Sequence, residues 1–401
     1  MRRFAIVFFL ILTTYVWAGH VTREQARAKA HHFLMEKGLN RKLTDAETST
    51  TAAKSRGMVS PDYYYIFNAD EGQGFVIVSA DDRTSEILGY CPEGSFDADE
   101  IPSNMAVWLQ GYADQIKYIQ ENDTPLALTR SYGESKPAVA PLLKTKWAQR
   151  APYNNDLPLY KGERCITGCT ATALAQVMYY YQYPTGMTTE IPGFTTSTHR
   201  IYVNSLPATT FNWSLMALSY TGYTTSAQNA AVAHLMEYCS KALESDFGPS
   251  STSAYTSMQK EALSSYFGYK KSLKLKSRNS VNSTEWSQQL YEEVAAGRPV
   301  LYRGQGSGGH AFVLDGYDGN GMFHFNWGWG GYCDGFFKLD ALTPGGSNFN
   351  YEQWAIIGIQ PPSNVPIRYD DFTLKGVHYP NTYRTMPPNL IYLPSWCYHN
   401  Q

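Results

Sequence analysis

The sequence has almost no net charge to spend on a charged partner: 33 lysines and arginines stand against 35 aspartates and glutamates, for a net charge of -2, and no long run carries one sign. A nucleic-acid partner is therefore not expected, since the basic stripe that would neutralise phosphates is missing. Long apolar runs are also lacking. Beyond the N-terminus no stretch approaches the ~20 residues that a helix needs to cross a bilayer, so no membrane span is expected. Cysteine is sparse, six residues in 401 at positions 91, 165, 169, 239, 333 and 397. Such scatter excludes a disulfide scaffold and leaves one or two pairings open. Cys165 and Cys169 have the spacing of half a zinc site, but no second Cys or His pair at ligand spacing stands near them, so neither a metal nor another cofactor is expected.

What the chain does contain is 43% hydrophobic residues and 14% aromatic ones, enough for a large core in a mixed, sheet-rich protein. Two arginines, an apolar run from Phe4 to about Leu12 and small residues at Val16 and Ala18 have the form of a signal peptide, 1–18, so export is expected. Thr22 with Gln25 three positions on is a capping-box spacing, and Ala26, Ala30, Phe33 and Leu34 then fall on one helical face. Alternating strands follow in "DYYYIFNADEGQGFVIVSADDRTSEILGYCPEG", and Met105, Leu109, Tyr112 and Ile116 mark a second amphipathic helix. These elements form a small α+β unit, 19–125. The Pro, Gly, Ser and charge mixture of 126–137 reads as a linker open to cleavage. From 138 to 360 helices come first and an antiparallel sheet last, an α+β order. The Pro- and Tyr-rich tail, 361–401, has no period.

The chemistry gathers around "RCITGCTATALAQVMYYYQYP", 164–184. After Thr170 the apolar positions recur at three and four until Pro184, which puts Cys169 at a helix N-terminus. The unpaired N–H groups there favour a thiolate, an advantage that Cys165 in the preceding loop lacks. A thiolate nucleophile needs a base, and His310 in "GQGSGGHAFVLDGYDG" stands where a glycine run enters an apolar strand. Asn326 on the next strand could hold the imidazole, with Trp327 shielding that bond from water. Gln149 could add an oxyanion donor to the Cys169 N–H. Taken singly, each has a bland alternative: a buried thiol, a satisfied histidine, a packing turn, a surface amide. Their chain order, Cys then His then Asn, is that of papain-like peptidases.

"TGCTATALAQVMYYYQYP", "GGHAFVLDGYDG" and "FNWGWGGYCDGFFKLDAL" resemble the streptopain family of secreted cysteine peptidases, interpain-type enzymes included. "GFVIVSADDRTSEILGYCPEGSFDADEIPSNM" is similar to that family's propeptide. The resemblance spans roughly 20–360 and implies a papain-like catalytic domain, synthesis as a zymogen inhibited by its own propeptide, and endopeptidase action on protein substrates. It places the nucleophile on Cys169, the base on His310, the oxyanion glutamine on Gln149 and the Asn-Trp pair on Asn326 and Trp327. It further places substrate-backbone contacts on Ser253 and Gly309, and the intruding propeptide residue at Asn104. The family's cysteine stands alone before its helix, so Cys165 is a departure. The competing reading is an adhesion or binding protein that keeps a peptidase-like fold without turnover.

Overall fold

The computed structural model describes residues 19–39, 41–46, 63–122, 136–304, 310–341 and 353–362, with the backbone of 373–374 and 377–378. The N-terminal leader, the linker core, Gly309 and nearly all of the tail lie outside these residues.

The first helix, α1 (Arg23–Glu36), begins with both halves of the expected capping box: Gln25 N–H donates to the Thr22 hydroxyl, and Thr22 N–H donates to the Gln25 side chain. Its Ala26, Ala30, Phe33 and Leu34 stripe lies on strands β2 (Tyr64–Ala69) and β3 (Phe75–Ser79), where alternation directs Tyr65, Phe67, Val76 and Val78 towards that helix. The opposite positions, Tyr64, Ile66, Phe75 and Ile77, face α2 (Ser103–Asn122). Strands β1 (Leu43–Asp45) and β4 (Ile87–Cys91) complete this front unit.

The larger unit carries α3 (Cys169–Tyr181), α4 (Ser226–Ala242), α5 (Thr256–Glu261) and α6 (Ser283–Ala295). Its strands are β9 (Lys274–Ser277), β10 (Val300–Gly304), β11 (His310–Tyr317), β12 (Phe323–Asn326), β13 (Gly335–Phe337) and β14 (Trp354–Ile357). Both faces of this sheet are covered, which explains why its strands read as near-continuous apolar runs. Leu301, Val313 and Ile356 pack under α3 and α4, whereas Tyr302, Phe312, Leu314 and Phe325 pack under α6 and α2. Among the described residues three two-residue hairpins, β5 (Leu159–Tyr160) with β6 (Glu163–Arg164), β7 (Phe194–Thr195) with β8 (Tyr202–Val203) and β15 (Thr373–Leu374) with β16 (Val377–His378), are too short to leave a period-2 signal, and β9, mostly polar and at the sheet edge, leaves little more.

The two units share one antiparallel sheet of ten strands, in the order β1-β2-β3-β4-β13-β12-β11-β10-β14-β9. The join is β4 with β13, where Tyr90 pairs with Phe336 and Gly89 with Phe337. A compositional break in the sequence thus has no counterpart in the sheet. Helix α2 of the front unit drives Trp108 between Tyr302, Phe312 and Phe325 of the larger unit, with ring centroids 5.0–6.2 Å apart.

Candidate active site

Cys169 is the first residue of α3. Gly168 before it has φ 80° and ψ 151°, a region closed to side chains, and a Cβ there would lie 2.6 Å from the Thr252 carbonyl oxygen. Glycine therefore permits the 252–253 segment to run directly beside the helix start. Ser253 on that segment is exposed and exchanges two backbone hydrogen bonds with Asp246, at 2.8 and 3.3 Å. On another side of the helix start, Thr167 N–H donates to the Gln149 carbonyl at 3.2 Å. Among the described residues no hydrogen bond engages the Gln149 side chain.

Strand β11 approaches from the sheet. The Ala311 N–H donates to Cys169 Sγ at 3.4 Å, bringing the strand's first residue, His310, to the same helix end. The imidazole makes no hydrogen bond among the described residues. Burial holds it below its ordinary range, because a low-dielectric surrounding penalises the cation. Burial likewise raises the Cys169 thiol, opposed by the N–H groups of Ala311, Thr170 and Cys169 itself. The helix terminus acts in the expected direction, but desolvation outweighs it, so burial disfavours both the thiolate and the imidazolium.

Helix α2 also reaches this strand. Asn104, 2% exposed, donates through Nδ2 to the Trp327 carbonyl at 2.8 Å and to the Ala311 carbonyl at 3.4 Å. One side chain of the front unit thus bridges the strand that touches Cys169 and the loop after β12.

Asn326 and Trp327 are both buried, and neither bonds to the imidazole in this arrangement. The Asn326 amide donates to the Thr145 carbonyl at 2.9 Å, and its oxygen accepts from Gln176 Nε2 at 3.0 Å and Gly328 N–H at 3.1 Å. The Gln176 oxygen in turn accepts from the Thr145 hydroxyl at 2.7 Å. This closed ring ties α3, the β12 loop and the 145 segment together; Gln176 is a residue that sequence reasoning missed, its only sign being a polar side chain inside an apolar helix. The Trp327 indole donates to the Cys333 carbonyl at 3.0 Å within the aromatic core, and Trp329, 39% exposed, is the indole on the open side of the loop. Cys165 is fully buried beside Leu157, Val203 and Phe247, and it is not bonded to Cys169. Gly309 falls outside the described residues. Among the described residues no group of His, Cys, Asp and Glu is arranged to hold a metal.

Residues 147–337 match the Peptidase C10 family, and residues 18–116 match the Spi protease inhibitor family. Streptopain of Streptococcus pyogenes is 38% identical over 333 residues, covering 76% of this chain and 82% of that protein. The chain belongs to the streptopain family. It is a cysteine-type endopeptidase of papain-like fold, made as a zymogen whose front unit is the inhibitory propeptide. A thiol protease/hemagglutinin of Porphyromonas gingivalis is 32% identical over 370 residues, 86% of this chain and 42% of its own length. A prointerpain A fragment from Prevotella intermedia superposes with TM-score 0.69 at 31% identity, over 80% of this chain and all of the fragment. The shared sheet and the Asn104 contact are therefore features of a streptopain-family zymogen before cleavage.

Proposed function

We propose that Cys169 is the nucleophile and His310 the general base of a secreted endopeptidase, activated by cleavage within 126–137 that releases the segment 19–125 from the catalytic unit 138–360. One observation carries the assignment: the 3.4 Å hydrogen bond from Ala311 N–H to Cys169 Sγ, which sets the residue after His310 against the thiol at a helix N-terminus. Removal of α2 rehydrates the site, lowers the thiol pKa and raises that of the imidazole, which favours the thiolate–imidazolium pair. The thiolate attacks the scissile carbonyl, the Gln149 amide and the Cys169 N–H hold the oxyanion, and His310 protonates the departing amine. Water, deprotonated by His310, then hydrolyses the thioester.

Ser253 and Gly309 contact the substrate backbone, and Asn104 is the prosegment's inhibitory contact until release. Asn326 and Trp327 support His310 by fixing the loop after β12. The substrate is a polypeptide with an apolar side chain one residue before the cleaved one. Export rests on the two arginines and the apolar run at the N-terminus, and no helix among the described residues is long and apolar enough to cross a membrane.

The test is N-terminal sequencing of the products formed by the wild-type chain and by Cys169→Ala, together with casein hydrolysis. Wild type yields a new N-terminus within 126–137 and digests casein, whereas the variant does neither. Casein hydrolysis by Cys169→Ala would overturn the assignment.

A further inference from the structure

The β4–β13 join contains two thiols with no part in the peptidase chemistry. Cys91, the last residue of β4 and the front unit's single cysteine, donates through Sγ to the Cys333 carbonyl at 3.1 Å. Cys333 lies two residues before β13, and both cysteines belong to the same buried cluster, at 2% and 4% exposure. Gly335, across the sheet from Cys91, makes the approach possible, because a Cβ there would sit 2.5 Å from Cys91 Sγ. Cys91 ends its strand and Cys333 stands in the turn that leads into β13, so a covalent link between them would interrupt no ladder hydrogen bond. Around them Asp97 N–H donates to the Tyr332 hydroxyl, and Lys146 pairs with Glu93 at 3.1 Å, so the two units are held in register at this point.

We propose that Cys91 and Cys333 form a disulfide between the prosegment and the catalytic unit, a redox latch that keeps the prosegment attached after the linker is cut. The oxidant is a low-molecular-weight disulfide: the two thiols give up two protons and two electrons, an S–S bond forms, and the oxidant is reduced to two thiols. Burial, followed by the charge of the neighbouring Cys333, holds the Cys91 thiol well above its ordinary range. Exchange at this site is consequently slow in either direction, as suits a latch set during folding. With the latch closed, linker cleavage leaves α2 tethered over Cys169, and full activation requires a reductant. That consequence rests on the zymogen reading above; formation of the bond does not.

The full-length Cys169→Ala chain, which cannot process itself, is refolded from denaturant with oxidised or reduced glutathione, alkylated, and digested without reductant for mass spectrometry. The expected product is one cross-linked peptide pair joining Cys91 to Cys333, two hydrogens lighter than its parts, present only in the oxidised sample and absent when Cys91→Ala or Cys333→Ala is added. Both cysteines fully alkylated, glutathione on Cys91 alone, or Cys91 joined to any other cysteine would overturn the proposal. In a second arm the oxidised chain is nicked in the linker with trypsin: prosegment and catalytic unit run as one band on a denaturing gel without reductant and as two with it. If the cross-link forms while the linker resists cleavage, the latch stands and the activation reading fails.

Discussion

Cys169 and His310 are best understood as two groups whose ionisation burial suppresses, the thiol shifted up and the imidazole down. Burial depresses the imidazole relative to its ordinary value of about 6.5, so the folded chain resists a proton that the unfolded chain accepts. The sign follows: stability is intact above the ordinary value and is lost as pH falls below it. In a Cys169→Ala zymogen, the thermal midpoint should fall between pH 7 and pH 5. His310→Gln in the same background should fall less, because glutamine gains no proton. Other titrating groups, the buried His324–Asp315 pair at 2.6 Å among them, act equally in both chains and cancel in the comparison. Superimposable pH profiles for the two chains would mean that the neutral imidazole is not a cost to the zymogen. The same residues show what a sequence can convey. Residue type and chain order pointed to the cysteine and the histidine, but the outcome of dipole against desolvation depends on what the fold packs around the thiol, such as the Ala311 N–H some 140 residues away in the chain.

At the scale of elements, the nucleophile's position is set by the turn into α3. The helix itself was legible from Ala173, Leu174, Val177 and Met178, all of which are buried, and α1 was legible down to its capping box. The reason for Gly168 was not, because it lies in the Thr252 carbonyl, a neighbour that only the fold supplies. Gly168→Ala should cost about 1–3 kcal/mol from the forced backbone alone. It should also displace Cys169, and a shift of ~1 Å can lower turnover roughly 100-fold. Thermal denaturation and casein hydrolysis measured together check both parts; a variant with normal stability and normal turnover would remove the turn from the argument. The Thr145–Gln176–Asn326 ring was illegible for a similar reason. Its members stand far apart in the sequence, and hydrogen bonds between distant side chains leave no periodicity to read.

At the scale of the whole molecule, the shared sheet decides how firmly the prosegment is held. Sequence composition divides the chain near the linker, because loops announce themselves by Pro, Gly and Ser, but strand pairing across that division carries no local mark. What holds the prosegment is therefore core packing as well as the Asn104 contact from α2. Trp108 is 6% exposed and wedged against Tyr302, Phe312 and Phe325, and Gly304 makes room for it, since a Cβ there would meet the indole at 2.9 Å. The Tyr112 hydroxyl donates to the Leu88 carbonyl and to that of Lys338, and Lys37 reaches the buried Asp318 at 2.9 Å, so polar contacts surround an apolar centre. Trp108→Ala should cost the zymogen about 3–5 kcal/mol, the usual range for emptying a buried tryptophan site. Because the indole leaves with the prosegment, the mature enzyme should keep its own stability and its kcat/KM. The expected pattern is a lowered zymogen melting temperature, faster appearance of activity after linker cleavage, and an unchanged mature product. Equal activation rates in wild type and variant would place the hold on the prosegment in the Asn104 contact rather than in the core.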